Sequence, residues 1–251
     1  MSERGSITYV GHATVSIEID GVHLLTDPLL RRRMFHLRRQ VDPVESWRLA
    51  PDAILVSHQH FDHLDLHSLR RLGKSIRIIA PPTAAAFLGR KGFSGVEPLA
   101  VGESSRIGPL AVTAVDAEHE GGRHPFAKDG EAVGYVVCGS SRVYFAGDTD
   151  LFPGMEDLAG DLDVALVPVW GWGHTLGPGH LDPASAAAAV ELLEPRIAIP
   201  IHWGTFFPFG LARWGRRHLT DPPHQFASQV AERSPEVEVR LLDPGETTAL
   251  S

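Results

Sequence analysis

Directly after the apolar run Ala53-Ile54-Leu55-Val56 the chain reads Ser57-His58-Gln59-His60-Phe61-Asp62-His63, three histidines and an aspartate within six positions. An unbroken apolar run of this length reads as a buried strand, so the histidines stand where the strand spills into a loop. Side chains at i and i+2 of an extended segment share a face, which aims His58 and His60 the same way. A turn just beyond brings Asp62 and His63 round beside them. Neutral imidazole suits zinc, iron and other borderline metals, and a carboxylate adds charge for a second ion. The alternative is a polar loop that happens to be rich in histidine. Crowded imidazoles repel one another on protonation, so they need a shared ligand to be kept together.

The flanking chain supplies a layered frame. Ser6–Val10, Thr14–Asp20 and Val22–Thr26 read as strands, with Asp20-Gly21 as a hairpin turn. From Pro51 onward strands alternate with helices. Leu66–Leu72 and Pro82–Lys91 read as helices, and Ser75–Ala80, Val96–Val101 and Leu110–Val115 as strands. Ala132–Cys138 and Arg142–Ala146 read as a hairpin, and Val164–Val169 as a buried strand. Pro183–Leu193 reads as a helix capped by Asp182, Ile197–Ile201 as a strand, and Pro223–Glu232 as a helix. Val237–Leu242 and Thr247–Leu250 read as a terminal strand pair. With no repeat and no linker, residues 1–251 are expected to be one α/β domain, two packed sheets with helices outside.

Composition narrows the class. A net charge of −8 argues against a binder that tracks a nucleic-acid backbone. The single cysteine, Cys138, excludes an internal disulfide and reads as a small core residue. With no signal peptide in the sequence, a cytoplasmic location is expected. No stretch approaches the roughly 20 apolar residues of a membrane helix.

A site for two metals needs more ligands than residues 57–63 hold, and these should lie at strand ends. Three such groups exist: His119 after Leu110–Val115, Asp148 after Arg142–Ala146, and His202 after Ile197–Ile201.

The spacing His58-x-His60-x-Asp62-His63, with those three residues following in order, resembles the signature of the metallo-β-lactamase fold hydrolases. The resemblance implies a four-layer αββα sandwich of the metallo-β-lactamase type. It implies that His58, His60 and His119 hold one ion, that Asp62, His63 and His202 hold another, and that Asp148 bridges them. Gly11-His12-Ala13-Thr14, Thr26-Asp27-Pro28 and Ile201-His202-Trp203-Gly204-Thr205 are similar to the branch containing L-ascorbate-6-phosphate lactonase and N-acyl-phosphatidylethanolamine phospholipase D. Two stretches depart from that branch, the arginine-rich segment after Pro28 and the aromatic, basic Phe206–Arg217.

Such a ligand set dictates the reaction type. Two divalent ions, zinc first with manganese or iron admissible, lower the pKa of a bridging water. The hydroxide then attacks a phosphodiester, ester or lactone. Asp62 and His180 are the expected catalytic groups. In related diiron redox proteins the residue between the first two histidines is typically an acidic ligand. Gln59 is a poor one, which favours hydrolysis over oxygen chemistry.

Asp27 and His12 are candidates to orient the ligands from behind, against plain turn roles for both. The glycine-rich Gly171–Asp182 lets backbone approach a ligand, and there His180 and His174 are candidate substrate or proton-transfer residues. Arg31, Arg32, Arg33, Arg38 and Arg39 read either as a solvated loop or short helix, or as a lid for an anion, with Arg32 and Arg33 its substrate-binding residues. The expected partner is a small anionic molecule; homo-oligomerisation stays open. Competing functions are an RNA-processing nuclease, disfavoured by the acidic balance, and a non-catalytic metal-binding sensor or scaffold, disfavoured by the full ligand set.

Overall fold

The computed structural model describes residues 5–42, 49–122, 130–170, 177, 179–211 and 215–250. Strands β1 (Gly5–Gly11), β2 (Thr14–Ile19) and β3 (Val22–Thr26) form an antiparallel meander. Asp20-Gly21 turns between the last two with positive φ at both residues, the type I′ requirement. A small hairpin, β4 (Arg33–Met34) and β5 (Leu37–Arg39), interrupts before β6 (Ala53–Leu55) joins β3 in parallel. Helix α1 (Leu66–Leu72), β7 (Arg77–Ala80), helix α2 (Pro82–Arg90) and β8 (Val96–Pro98) extend that parallel half.

The second sheet repeats the plan. Strands β9 (Ser104–Ile107), β10 (Leu110–Asp116), β11 (Val133–Cys138) and β12 (Arg142–Phe145) are antiparallel. Then β13 (Val164–Pro168), helix α3 (Pro183–Leu193) and β14 (Ile197–Ile201) continue in parallel. Every residue of β13 and β14 is buried, as parallel strands covered on both faces require. Asp182 caps α3 through the amides of Ala184 and Ser185. Strand β15 (Phe206–Pro208), helix α4 (Arg216–Arg233), β16 (Glu238–Val239) and β17 (Thr247–Ala249) complete the order. Two seven-stranded sheets thus pack together, α1 and α2 against one and α3 and α4 against the other.

Three expectations are corrected. The terminal strands do not pair with each other: β16 joins β14 in parallel, and β17 pairs with β1 in the other sheet, so the C-terminus crosses between sheets. Helix α4 begins well before Pro223, because its first residues lie upstream of Pro222-Pro223, the point where a missing N–H suggested a start. The arginine-rich segment is neither loop nor helix. It is the β4–β5 hairpin, and β5 pairs antiparallel with β15. Alternation explains why it folds so: Met34, Leu37 and Arg39 point inward and are buried, while Arg33 and Arg38 point out. The inner face packs with Leu29 and Phe206.

Among the described residues no helix is long and apolar enough to cross a membrane.

Candidate metal centre

Each side chain of the motif sits just past the end of a strand. His58, His60, Asp62 and His63 follow β6, His119 follows β10, Asp148 follows β12 and His202 follows β14. Asp27 follows β3, and His12 lies in the turn between β1 and β2. The ligand atoms fall into overlapping groups, each within 4.8 Å: His58–His60–His119, His12–Asp62–His63–His202 and His119–Asp148–His180. Asp148 stands between, its carboxylate 3.1 Å from His63 Nε2 and 3.3 Å from His202 Nε2. All seven residues expected as ligands are therefore brought together.

Four of the imidazoles are held from behind at Nδ1. His119 Nδ1 lies 2.7 Å from the Gly179 carbonyl, and His202 Nδ1 bonds the Trp170 carbonyl. His63 Nδ1 is 2.7 Å from Asp27 Oδ2, and His58 Nδ1 is 2.9 Å from Ser57 Oγ. Ser57 in turn donates its hydroxyl to Asp27 Oδ2 at 2.5 Å and its amide to Oδ1 at 2.7 Å. One buried carboxylate thus orients His63 directly and His58 through Ser57. In this arrangement Nδ1 carries the proton and Nε2 offers its lone pair to the centre. His60 is turned the other way, its Nδ1 lying 3.1 Å from His119 Nε2.

The backbone is shaped to allow this. Three of the seven non-glycine residues with positive φ among those described are His12, Asp27 and His202. Left-handed backbone at such residues costs of order 1–3 kcal/mol each and concentrates at functional sites. The His202 amide donates to the His12 carbonyl at 2.8 Å, so the two strained turns support each other. Gly147, at φ +64, carries the chain past Ser57, whose Cβ would lie 2.7 Å from an added Cβ. Gly179, at φ +81, passes His119, whose Nδ1 would lie 3.1 Å from an added Cβ.

The donor set fits a metal. His58 Nε2 is buried and has no hydrogen-bond partner, an orphan that a cation would satisfy. Burial keeps His58 well below the usual imidazole pKa and pushes His119 down to about 4, so these two reach neutral pH uncharged, as ligands must. Burial also opposes charge in the second group, but the histidines there outweigh it and hold Asp62 and Asp148 well below the carboxylate range. Against its own burial, His63 is held well above the imidazole range by Asp148 and Asp62.

His12 Nε2 is 2.9 Å from Asp62 Oδ2, so His12 steadies the carboxylate as well as shaping its turn. Burial pushes its pKa down to about 3. His180 is half-buried, its Nε2 3.7 Å from Asp148 Oδ2 and its ring edge-on to His119. His174 lies outside the described residues. Arg32 and Arg33 are exposed on the hairpin. Arg31 pairs with Asp65, and Arg39 turns inward to donate to the carbonyls of Val10 and Leu29. The five arginines are therefore not one field.

Sequence reasoning missed the supporting roles of Ser57 and Arg39, and the carbonyls of Trp170 and Gly179. Ser57 had a signal, its place directly before His58. The carbonyls had none, since every residue carries one.

Residues 23–203 match the family model of the beta-lactamase superfamily domain. A UPF0173 metal-dependent hydrolase of Methanopyrus kandleri is 36% identical over 96% of this chain and 98% of the relative. Another, from Deinococcus radiodurans, is 35% identical over 97% of this chain and 99% of its own length. Igni18, a metallo hydrolase of Ignicoccus hospitalis, shares the fold with a TM-score of 0.72 at 24% identity, over 98% of this chain and 97% of that one. Built around a histidine–aspartate metal site, this chain belongs to the metallo-β-lactamase superfamily and, within it, to the UPF0173 metal-dependent hydrolase family.

Proposed function

We propose that the chain is a dinuclear hydrolase of a small, anionic substrate, cleaving a phosphodiester, ester or lactone. The observation that carries this reading is the convergence of seven side chains from four strand ends in two groups that meet at Asp148. In this reading His58, His60 and His119 hold one ion, Asp62, His63 and His202 the other, and Asp148 both. Zinc is the first choice, with manganese or iron served by the same donors. When bound, such a pair lowers the pKa of a shared water and neutralises the oxyanion formed on attack.

The chain's own groups do the rest. Asp27 and Ser57 fix the two tautomers that leave Nε2 free. His12 holds Asp62 in place, so that Asp62 acts both as ligand and in catalysis. His180, 29% exposed beside Asp148, is placed to bond the substrate or to pass a proton to the leaving group. Arg32 and Arg33 would bind an anionic group remote from the centre, and His174 is a further candidate substrate-binding residue. Gln59 supports hydrolysis over oxygen chemistry. The motifs around His12, Asp27 and His202 support the branch of the lactonase and the phospholipase D named above. The charge of −8 counts against RNA as substrate.

Turnover of bis(4-nitrophenyl) phosphate by the full chain, with and without chelator, tests the reading. Activity that chelator abolishes and zinc restores is expected; indifference to both would refute it.

A further inference from the structure

The β4–β5 hairpin carries a feature that neither packing nor hydrolysis requires. Its two-residue turn is Phe35-His36, set by the pairing of Met34 with Leu37. Phe35 takes φ +48 at the first central position, the one glycine occupies in a type II′ turn. A bulky aromatic there is sterically unfavourable, and Phe35 is 62% exposed. An exposed aromatic held in a strained turn gains nothing for the core. Its ring is not turned away from the centre either: it stands edge-on to Phe61, centroids 5.0 Å apart. Phe61 is the residue between His60 and Asp62. Beside them Phe209, 58% exposed, has its amide bonded to the His36 carbonyl, and the guanidinium groups of Arg33 and Arg38 lie over its ring at 5.2 and 5.9 Å.

We propose that this hairpin tip is a subsite for an apolar arm of the substrate, with Phe35 and Phe61 receiving the arm and Arg32, Arg33 and Arg38 facing the anionic group next to it. The inference rests on the hydrolase reading in that the arm extends from the group turned over at the metal centre. The contact with Phe61 favours a substrate arm over a lipid surface, since it joins the tip to the metal-binding loop. The adjoining cations in a chain of net charge −8 select an anion rather than a neutral apolar molecule.

Calorimetric titration of the zinc-loaded full chain with phenylphosphonate and methylphosphonate tests this, because the pair differ only in the arm. Partial burial of the phenyl ring should give it about tenfold tighter binding. Phe35→Asn, which suits a positive φ, should bring the ratio towards one while Tm holds or rises. Phe35→Leu should keep part of the preference. Equal affinities in the unmodified chain, or an unchanged ratio in Phe35→Asn, would overturn the proposal. So would loss of binding to phosphatidylglycerol vesicles in Phe35→Asn with the phenyl preference intact, which would make the tip a lipid contact. Absence of any turnover would remove the hydrolase reading alone, because the phosphonate ratio is measured without turnover.

Discussion

Asp27→Asn should weaken both halves of the metal centre through one buried atom pair. Asp27 is fully buried and accepts three hydrogen bonds, from the Ser57 amide at 2.7 Å, the Ser57 hydroxyl at 2.5 Å and His63 Nδ1 at 2.7 Å. An asparagine of the same shape offers one oxygen and one NH2. If the oxygen keeps the Ser57 amide, the NH2 faces His63 Nδ1, which must then accept, and its proton moves to Nε2. The lone pair meant for the centre is lost. The Ser57 hydroxyl also loses its acceptor and turns to His58 Nδ1, forcing the same tautomer there. In the flipped orientation the NH2 opposes the Ser57 amide, donor against donor. Loss of one outer partner typically costs 10–100-fold in metal affinity. With one histidine affected in each group, the product of the two binding constants should fall by about 10²–10⁴, equivalent to about 2.7–5.5 kcal/mol. Competition against a fluorescent zinc chelator measures both constants. Ser57→Ala is the control, because it touches only the His58 side and should weaken one ion alone. Asp27→Asn with both constants within threefold of the unmodified chain would refute the tautomer argument.

Other outcomes follow from the same geometry. Asp148→Ala should lose metal and activity together, whereas His180→Ala should keep metal and lose turnover; equal metal contents would deny Asp148 its bridging place. Replacing Arg32 and Arg33 with glutamine should raise KM for an anionic substrate more than it changes kcat, and flatten its salt dependence, with metal content unaltered. Chelated protein should become acid-labile. Burial first, with neighbouring imidazoles, lowers the folded pKa of His58 and His60, of His119 to about 4 and of His12 to about 3. A histidine lowered in this way contributes stability above its unfolded pKa, near 6.5, and loses it as pH falls through the folded value. His63 and His202 are raised, so their contribution is complete below pH 6.5 and is lost only as pH rises above it, which leaves it constant across the acid range. Tm of the chelated chain should therefore fall between pH 6.5 and 4, and a flat profile across that range would contradict the assignment.

Much of this centre was legible because its chemistry is local in sequence. Four of the expected ligands lie between His58 and His63, and each remaining one follows an apolar run that reads plainly as a strand. What stayed hidden depends on long-range pairing. That Val237–Leu242 and Thr247–Leu250 enter different sheets cannot be read from two short apolar stretches, since either fits any open edge. The hairpin of residues 33–39 was hidden by its arginines, which mask an alternation whose inward member, Arg39, is itself charged. Its burial becomes intelligible only once Val10 and Leu29 present their carbonyls to it and Phe206 its ring. The true start of helix α4 is masked in the sequence because prolines usually open helices and here lie within one.

The central claim is that two ions per chain, not one, make the active centre. Elemental analysis of the reconstituted full chain, taken together with phosphodiester turnover as zinc is added stepwise, tests it most directly. Close to two bound ions are expected, with a rate that reaches its plateau only as the second equivalent is filled. A plateau at one equivalent, or a reconstituted chain that retains no transition metal, would contradict it.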